Sequence, residues 1–186
     1  MTFRIFALAV IVGFMLAETR VSRDNARRLR AAGAIEPPGD VYLALAVLYP
    51  AAFLLMGLEG IWRAVEEATS PRVAGPSWAA SGVLLFAASK ALKYWAIRAL
   101  GPRWSFRVLV LPGEPLVGDG PYRYVAHPNY IAVVGELVGT AMMMEARVLG
   151  PIMTIASGLA LWTRIRFETR VLAPLRGRSR SMLGGH

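Results

Sequence analysis

Apolar residues gather in five stretches along the chain, and segments rich in arginine, glycine or proline separate them. A membrane-spanning helix needs about 20 predominantly apolar residues, and backbone groups in lipid must be hydrogen-bonded within the structure, which favours helices. No strand-like alternation of apolar and polar residues competes with this pattern. We therefore predict about five transmembrane helices, one in each of the stretches 3–17, 41–62, 78–97, 130–144 and 148–162.

The first stretch is unusually short, and the last two stretches lie very close together in sequence. The stretch 3–17 is short for a span and contains Arg4. A cleaved signal peptide is its competing interpretation, but no small-x-small cleavage site follows and more apolar stretches come later. Only residues 145–147 separate the last two stretches, and so short a connection predicts an antiparallel helical hairpin.

The composition agrees with a membrane protein. Hydrophobic residues make up 55% of the 186 residues, and the mean hydropathy is +0.46, which is more apolar than one soluble core requires. The chain has no cysteine and only one histidine besides its last residue. Disulfides, thiolate nucleophiles and cysteine-based metal sites are excluded, and we predict no metal site.

The net charge of +9 comes mainly from arginines that flank the apolar stretches. If all five stretches span, alternate loops carry 15 arginines on one side and 4 on the other. This bias predicts a multi-pass protein of the inner (cytoplasmic) membrane, with the N-terminus outside and the C-terminus in the cytoplasm. Because the basic residues form no stripe with interleaved aromatics, membrane lipids and not nucleic acid are the expected partners.

The predicted organisation is a single all-α membrane domain over residues 1–186. Three N-terminal helices occupy residues 1–97, and a cytoplasmic connector covers 98–129. A C-terminal helical hairpin follows at 130–172, and a flexible tail at 173–186. The connector is dense in glycine and proline, yet it also carries apolar residues that favour burial. We expect an ordered cap over the cytoplasmic helix ends.

Candidate chemistry concentrates at the two ends of the hairpin. The segment GPYRYVAHPNY, residues 120–130, places His127 and three tyrosines at the start of the fourth helix. Arg164 and Glu168, four residues apart, share a face at the end of the fifth helix. Together these groups could hold a zwitterionic, adenine-bearing ligand. The alternative is a plain turn and helix start, followed by a helix end with snorkelling basic residues.

Glu136 is a carboxylate inside the fourth apolar stretch. Such a group faces protein or water and not lipid. Two roles stay open from the sequence: pairing with Lys90, Lys93 or an arginine, or a direct role in chemistry.

The same residues resemble a known family. Gly-Pro-Tyr at 120–122, His-Pro-x-Tyr at 127–130 and the hairpin that ends in Arg164 and Glu168 are similar to the signature of the isoprenylcysteine carboxyl methyltransferase family. The resemblance covers about residues 95–172. Ala126 stands where the family usually has arginine, and Thr169 replaces the second glutamate of a Glu-Glu pair.

The resemblance implies an integral-membrane methyltransferase that uses S-adenosyl-L-methionine. It implies that the connector and the last two helices hold the cofactor, through Gly120, Tyr122, Tyr124, His127, Pro128, Tyr130, Arg164 and Glu168. It also implies Glu136, His127 and Glu168 as candidate catalytic residues, with Glu136 near the methyl acceptor.

Residues 22–40 and 95–117 look more like a bacterial subgroup that is associated with type III polyketide synthases. This implies a lipophilic acceptor that enters from the bilayer, with a hydroxyl of an alkylpyrone or alkylresorcinol, or a prenylcysteine-like carboxylate, and a possible partner synthase. Two alternatives are a non-enzymatic membrane scaffold and a membrane reductase of the sterol-reductase type.

Overall fold

A computed structural model describes residues 1–69 and 78–183, with side chains up to residue 172. This part of the chain folds into five α-helices, one at each predicted stretch. Their bounds are α1 Thr2–Ala31, α2 Tyr42–Thr69, α3 Ala79–Leu100, α4 Pro128–Met144 and α5 Leu149–Leu183. Between α3 and α4 lie two short 3₁₀ helices, Gly101–Arg103 and Gly120–Arg123, and the described residues contain no β-strand.

Among the described residues, α1 and α2 are long and apolar enough to cross a membrane. The helix α4 has 17 residues, slightly fewer than the roughly 20 of a typical span. Large apolar side chains cover the outside of the bundle, with Leu43, Val47 and Leu84 each more than 70% exposed. This surface suits a lipid environment, while a span for each of the five helices stays a prediction.

The helix α1 corrects one expectation. The segment 18–40 separates the first two predicted stretches and carries five arginines, which predicts a linker there. Instead, α1 continues without a break to Ala31. Its continuation buries one face, formed by Glu18, Ser22, Asn25 and Leu29, whose spacing matches a single side of a helix. The arginines occupy the other sides, so the linker shrinks to residues 32–41.

The helices α3 and α4 make the most extensive contact between two elements. Glycines allow it: a Cβ atom added at Gly139 would lie 2.7 Å from the backbone nitrogen of Phe86, and one at Gly82 only 2.4 Å from that of Met143. Gly135 and Gly139 form a G-x-x-x-G spacing, which lets helix backbones approach closely in membranes.

The helices α4 and α5 form the predicted hairpin. Glu145 ends α4 in a left-handed conformation with φ of 55°. The carboxylate of Glu59, from α2, then accepts hydrogen bonds from the backbone N–H groups of Val148 (3.0 Å) and Leu149 (2.7 Å). It thereby satisfies donors that the first turn of a helix leaves free.

The backbone of α5 continues through residues 173–183, which we expected to belong to a flexible tail. Residues 184–186 lie outside the described residues.

Candidate functional site

The segment between α3 and α4 lines a partly open cavity of about 450 Å³ at one end of the bundle. Leucine and valine side chains of this connector form one wall, together with Leu29 of α1 and Leu100 of α3. We call the polar part of the lining the polar end, and it contains Tyr122, His127, Asn129, Tyr130 and Glu168.

The extended α1 and the loop after it hold the connector in place. The side chain of Asn25 donates to the carbonyl of Trp104 (2.9 Å), and the Ser22 hydroxyl accepts from the backbone N–H of Phe106 (2.8 Å). Ile35 and Val110 exchange two backbone hydrogen bonds as an isolated antiparallel bridge. The wall of the cavity is therefore tied to a part of the chain far away in sequence.

The polar end brings together residues from both motifs. His127 precedes Pro128, the first residue of α4, and its ring stacks on Tyr130 with centroids 5.6 Å apart. The Tyr130 hydroxyl donates to Glu168 and accepts from Nε of Arg164 at 2.9 Å. His127 Nδ1 lies 3.5 Å from Oε2 of the same Glu168 carboxylate.

Arg164 connects this cluster to other parts of the chain. Its side chain is 6% exposed. Its Nε lies 3.4 Å from Glu168 Oε1, and its Nη2 donates to the carbonyl of Phe106 in the connector. The same Nη2 lies 3.5 Å from Oδ2 of Asp40, which is also 6% exposed. One guanidinium thus joins α4, α5, the connector and the loop before α2.

Sequence reasoning missed Asp40. It follows Pro37, Pro38 and Gly39, and nothing in this local pattern links it to Arg164, 124 positions further on. A Cβ atom at Gly39 would lie 3.6 Å from the ring of Phe167, so the loop packs on the end of α5. Only this tertiary contact reveals Asp40 as part of the cluster.

The cluster changes the ionisation of its acids. Burial opposes the charge of Glu168, but hydrogen bonds from His127 and Tyr130 and the positive charge of Arg164 outweigh it, so the pKa of Glu168 is lowered. Burial raises the pKa of Asp40, and the charge of Arg164 limits the rise. Glu168 therefore stays an anion at neutral pH and is a weak base.

Of the other predicted cofactor contacts, one lines the cavity and three do not. Tyr122 lines the cavity, but Tyr124 is 73% exposed and its ring faces Trp95 outside it. Gly120 has φ of 60° and packs against Ala99 and Trp95, and Pro128 is buried at the start of α4. Gly120 and Pro128 shape the backbone and, like Tyr124, do not line the cavity, so their role as cofactor contacts stays a prediction.

Glu136 is not among the residues that line this cavity, and its position near the methyl acceptor stays a prediction. Its carboxylate lies 3.2 Å from Nζ of Lys90 and 3.1 Å from Nζ of Lys93, and it accepts from Tyr49. The same two lysines reach Glu18 at 2.6 and 2.7 Å. The ion-pair role that the sequence left open is the one that this geometry supports.

We refer to Glu18, Lys90, Lys93 and Glu136 as the buried quartet, since each is at most 7% exposed. Two cations and two anions from α1, α3 and α4 balance inside the bundle. Among the described residues, no group of three or more His, Asp or Glu side chains could hold a metal ion.

Comparison with known proteins adds to this geometry. The sequence model of the isoprenylcysteine carboxyl methyltransferase family matches residues 82–174, half of the chain. An "Uncharacterized protein YpbQ" of Bacillus subtilis (strain 168) is 28% identical over 165 residues, which cover 89% of this chain and 94% of that protein. An "Uncharacterized protein" of Haemophilus influenzae is 22% identical over 94% of this chain and 98% of its own. No solved structure matches significantly.

Proposed function

The chain belongs to the isoprenylcysteine carboxyl methyltransferase family, and from this premise we propose that it moves a methyl group from S-adenosylmethionine to a lipophilic acceptor at the membrane. The observation that carries the proposal is the cluster of His127, Tyr130 and Glu168 at the polar end of the cavity. These residues come from two separate motifs and lie inside the matched segment.

The cavity fits this cofactor in size and chemistry. Its volume of about 450 Å³ lies within the roughly 300–1,000 Å³ of small-molecule sites. The leucine and valine wall suits the adenosine part, and the polar end with Tyr122, His127, Tyr130 and Glu168 suits the amino-acid part. When bound, S-adenosylmethionine supplies a methyl group on a positively charged sulfur.

The residues of the chain contribute orientation and exclusion of water. Arg164 and Tyr130 hold the Glu168 carboxylate in one position, and the stacked ring of Tyr130 fixes the imidazole of His127. The connector shields the cavity, which keeps water from the transferred methyl group. Such positioning is the main requirement of an in-line displacement.

A hydroxyl acceptor also needs a group that takes its proton. Glu168 already accepts hydrogen bonds and its pKa is lowered, so we assign this step to His127, which lines the cavity. An ionised carboxylate acceptor needs no base. In either case, the bond between the sulfur and the methyl carbon breaks, a carbon–oxygen bond forms, and the sulfur keeps the electron pair.

For the acceptor we propose an alkylpyrone- or alkylresorcinol-like hydroxyl, or a prenylcysteine-like carboxylate, that enters between the helices from the bilayer. A synthase that makes such polyketides is the proposed partner. The apolar outer surface of the bundle supports a hydrophobic route of entry.

Calorimetry in detergent tests the cofactor site. His127→Ala and Glu168→Ala are each expected to weaken binding of S-adenosylmethionine about tenfold or more, because each removes a polar contact from an enclosed site. Tyr124→Ala is the matched control, since its exposed ring lies outside the cavity, and its affinity should stay within twofold of the wild type.

The outcomes separate the possibilities. If the wild type does not bind the cofactor, the methyltransferase proposal is wrong and a scaffold role gains support. If only Tyr124→Ala weakens binding, the site lies elsewhere. With a methyl-labelled cofactor, mass spectrometry of lipid extracts then identifies the product. A label that alkaline hydrolysis releases is a methyl ester, and one that resists it is a methyl ether.

A further inference from the structure

The buried part of the candidate site carries an excess of one negative charge. Arg164 is its cation, and two carboxylates face it: Glu168 at 3.4 Å and Asp40 at 3.5 Å. The exposed fractions of these side chains are 6% for Arg164 and Asp40 and 17% for Glu168. With His127 counted as neutral imidazole, the sum is −1.

The other charged residues in and around the cavity are more exposed. Arg103 and Glu114 pair at 2.5 Å and cancel each other. Arg107 and Arg30 share Glu36, at 2.6 and 2.8 Å, and these three groups sum to +1. These side chains are 30–51% exposed, so water and salt screen them far more than the buried groups. The buried group of Arg164, Asp40 and Glu168 is thus the negative part of the site.

The methyl donor and its demethylated product differ in charge more than in shape. S-adenosylmethionine carries a sulfonium, an ammonium and a carboxylate, which sum to +1. Loss of the methyl group turns the sulfonium into a neutral thioether, so the product sums to zero. An excess negative charge in a poorly hydrated site attracts the donor more than the product.

We propose that Asp40 sets the preference of the site for the charged methyl donor over its neutral product. Asp40 does not line the cavity, so it contacts neither ligand and acts through its charge, with Arg164 between them. It also lies outside the segment 82–174 that matches the family. This inference rests on the proposed function, because it presupposes that the cavity binds this cofactor.

Asp40 could act through its charge or only by holding Arg164 in position, and binding measurements distinguish the two. If Asp40 only held Arg164 in position, its loss would weaken donor and product by the same factor. If it supplies the excess charge, its loss weakens the donor more. The informative quantity is therefore the ratio of the two dissociation constants, product over donor, and not either affinity alone.

The test is calorimetry with S-adenosylmethionine and S-adenosylhomocysteine on the full chain in detergent. Asp40→Asn keeps the shape and removes the charge, and Asp40→Ser removes the charge with a smaller side chain. In each we expect the ratio to fall about three- to tenfold, the scale of one charge at a distance of several ångströms in a partly buried site. Asp40→Glu keeps the charge and should keep the ratio within twofold of the wild type.

The control is Asp24→Asn, which removes the same charge from an exposed position, 54% exposed and paired with Arg27. Its ratio should not change. The inference is wrong if the ratio is unchanged in Asp40→Asn or Asp40→Ser. It is also wrong if Asp40→Glu loses the preference for the donor over the product. Any one of these variants that folds is sufficient for the test. Failure of the wild type to bind either ligand refutes the proposed function instead, so the two failures are distinguishable.

Discussion

The carboxylate of Glu136 accepts from Lys93 and Tyr49 in the interior of the bundle, and it lies 3.2 Å from Nζ of Lys90. A buried cation that loses its partner cannot be solvated, and the cost of breaking such a pair is about 3–5 kcal/mol. The two lysines of the buried quartet would share a single carboxylate, that of Glu18, if Glu136 were neutral. These ion pairs therefore assign Glu136 a contribution to the stability of the fold.

We predict that Glu136→Gln lowers the free energy of unfolding by about 3 kcal/mol or more, while the turnover per folded molecule stays within a few-fold of the wild type. Denaturation in detergent and activity normalised to folded protein measure the two effects. Glu66→Gln, an exposed glutamate of α2, is the matched control and should change neither. A stable Glu136→Gln protein with a roughly hundredfold loss of turnover would instead make Glu136 a base.

At the residue scale, the sequence singles out candidate site residues where they lie in motifs. His127, Tyr130, Arg164 and Glu168 were singled out by local spacing, and the structure brings them into one cluster. Asp40 could not be predicted, because its contact depends on how the loop before α2 meets α5. Lys90 and Lys93 were named as partners of Glu136, but Glu18 was not, since it was assigned to a linker.

At the scale of the helices, the close packing of α3 and α4 depends on the absence of side chains at Gly82, Gly135 and Gly139. A Cβ atom at Gly139 would approach the backbone of Phe86 to 2.7 Å, and a backbone cannot rotate away as a flexible side chain can. Even one added methyl group must push the two helices apart. His127 and Tyr130 lie at the start of α4, so the site depends on this packing.

Gly139→Ala is therefore expected to destabilise the protein by about 1–3 kcal/mol. The control is Gly13→Ala in α1, where an added Cβ atom meets nothing within 4 Å. There, replacing glycine in a helix should be neutral or stabilising by up to about 1 kcal/mol. Unfolding in detergent compares the two, and equal stabilities would show that α3 and α4 are not held at close range.

The positions of the five helices were predictable, because long apolar runs specify them. The length of α1 was not. The arginines between residues 20 and 30 were interpreted as the flank of a membrane span, and they are compatible with a helix or a linker. What extends the helix is the burial of Ser22, Asn25 and Leu29 beneath the connector, a tertiary contact between segments about 80 residues apart.

At the scale of the whole molecule, the distribution of arginines predicts the orientation. The loop 32–41, the connector and the end of α5 lie on the side with 15 arginines, and this side also holds the candidate site. The bias predicts that the N-terminus lies outside and that the site lies in the cytoplasm, where the cofactor is available.

Two reporter fusions test this orientation. A fluorescent protein that matures only in the cytoplasm, fused after Leu183, should be bright. A phosphatase that is active only outside, fused after Thr69 at the end of α2, should be active. The inverse pattern would place the cavity outside the cell and contradict a cytoplasmic supply of cofactor, and activity of both reporters at one position would rule out a single orientation.

The buried quartet also has a consequence for the order in which the protein is made. Glu18 belongs to α1, and Lys90 is synthesised 72 residues later, roughly 4–14 seconds at 5–20 residues per second. Throughout this interval no lysine is available to Glu18, and a lone carboxylate is costly in the hydrocarbon layer. We therefore expect α1 to stay at a shallow depth, with Glu18 near the lipid headgroups, until α3 brings the two cations. On this expectation, α1 reaches its final depth only together with α3.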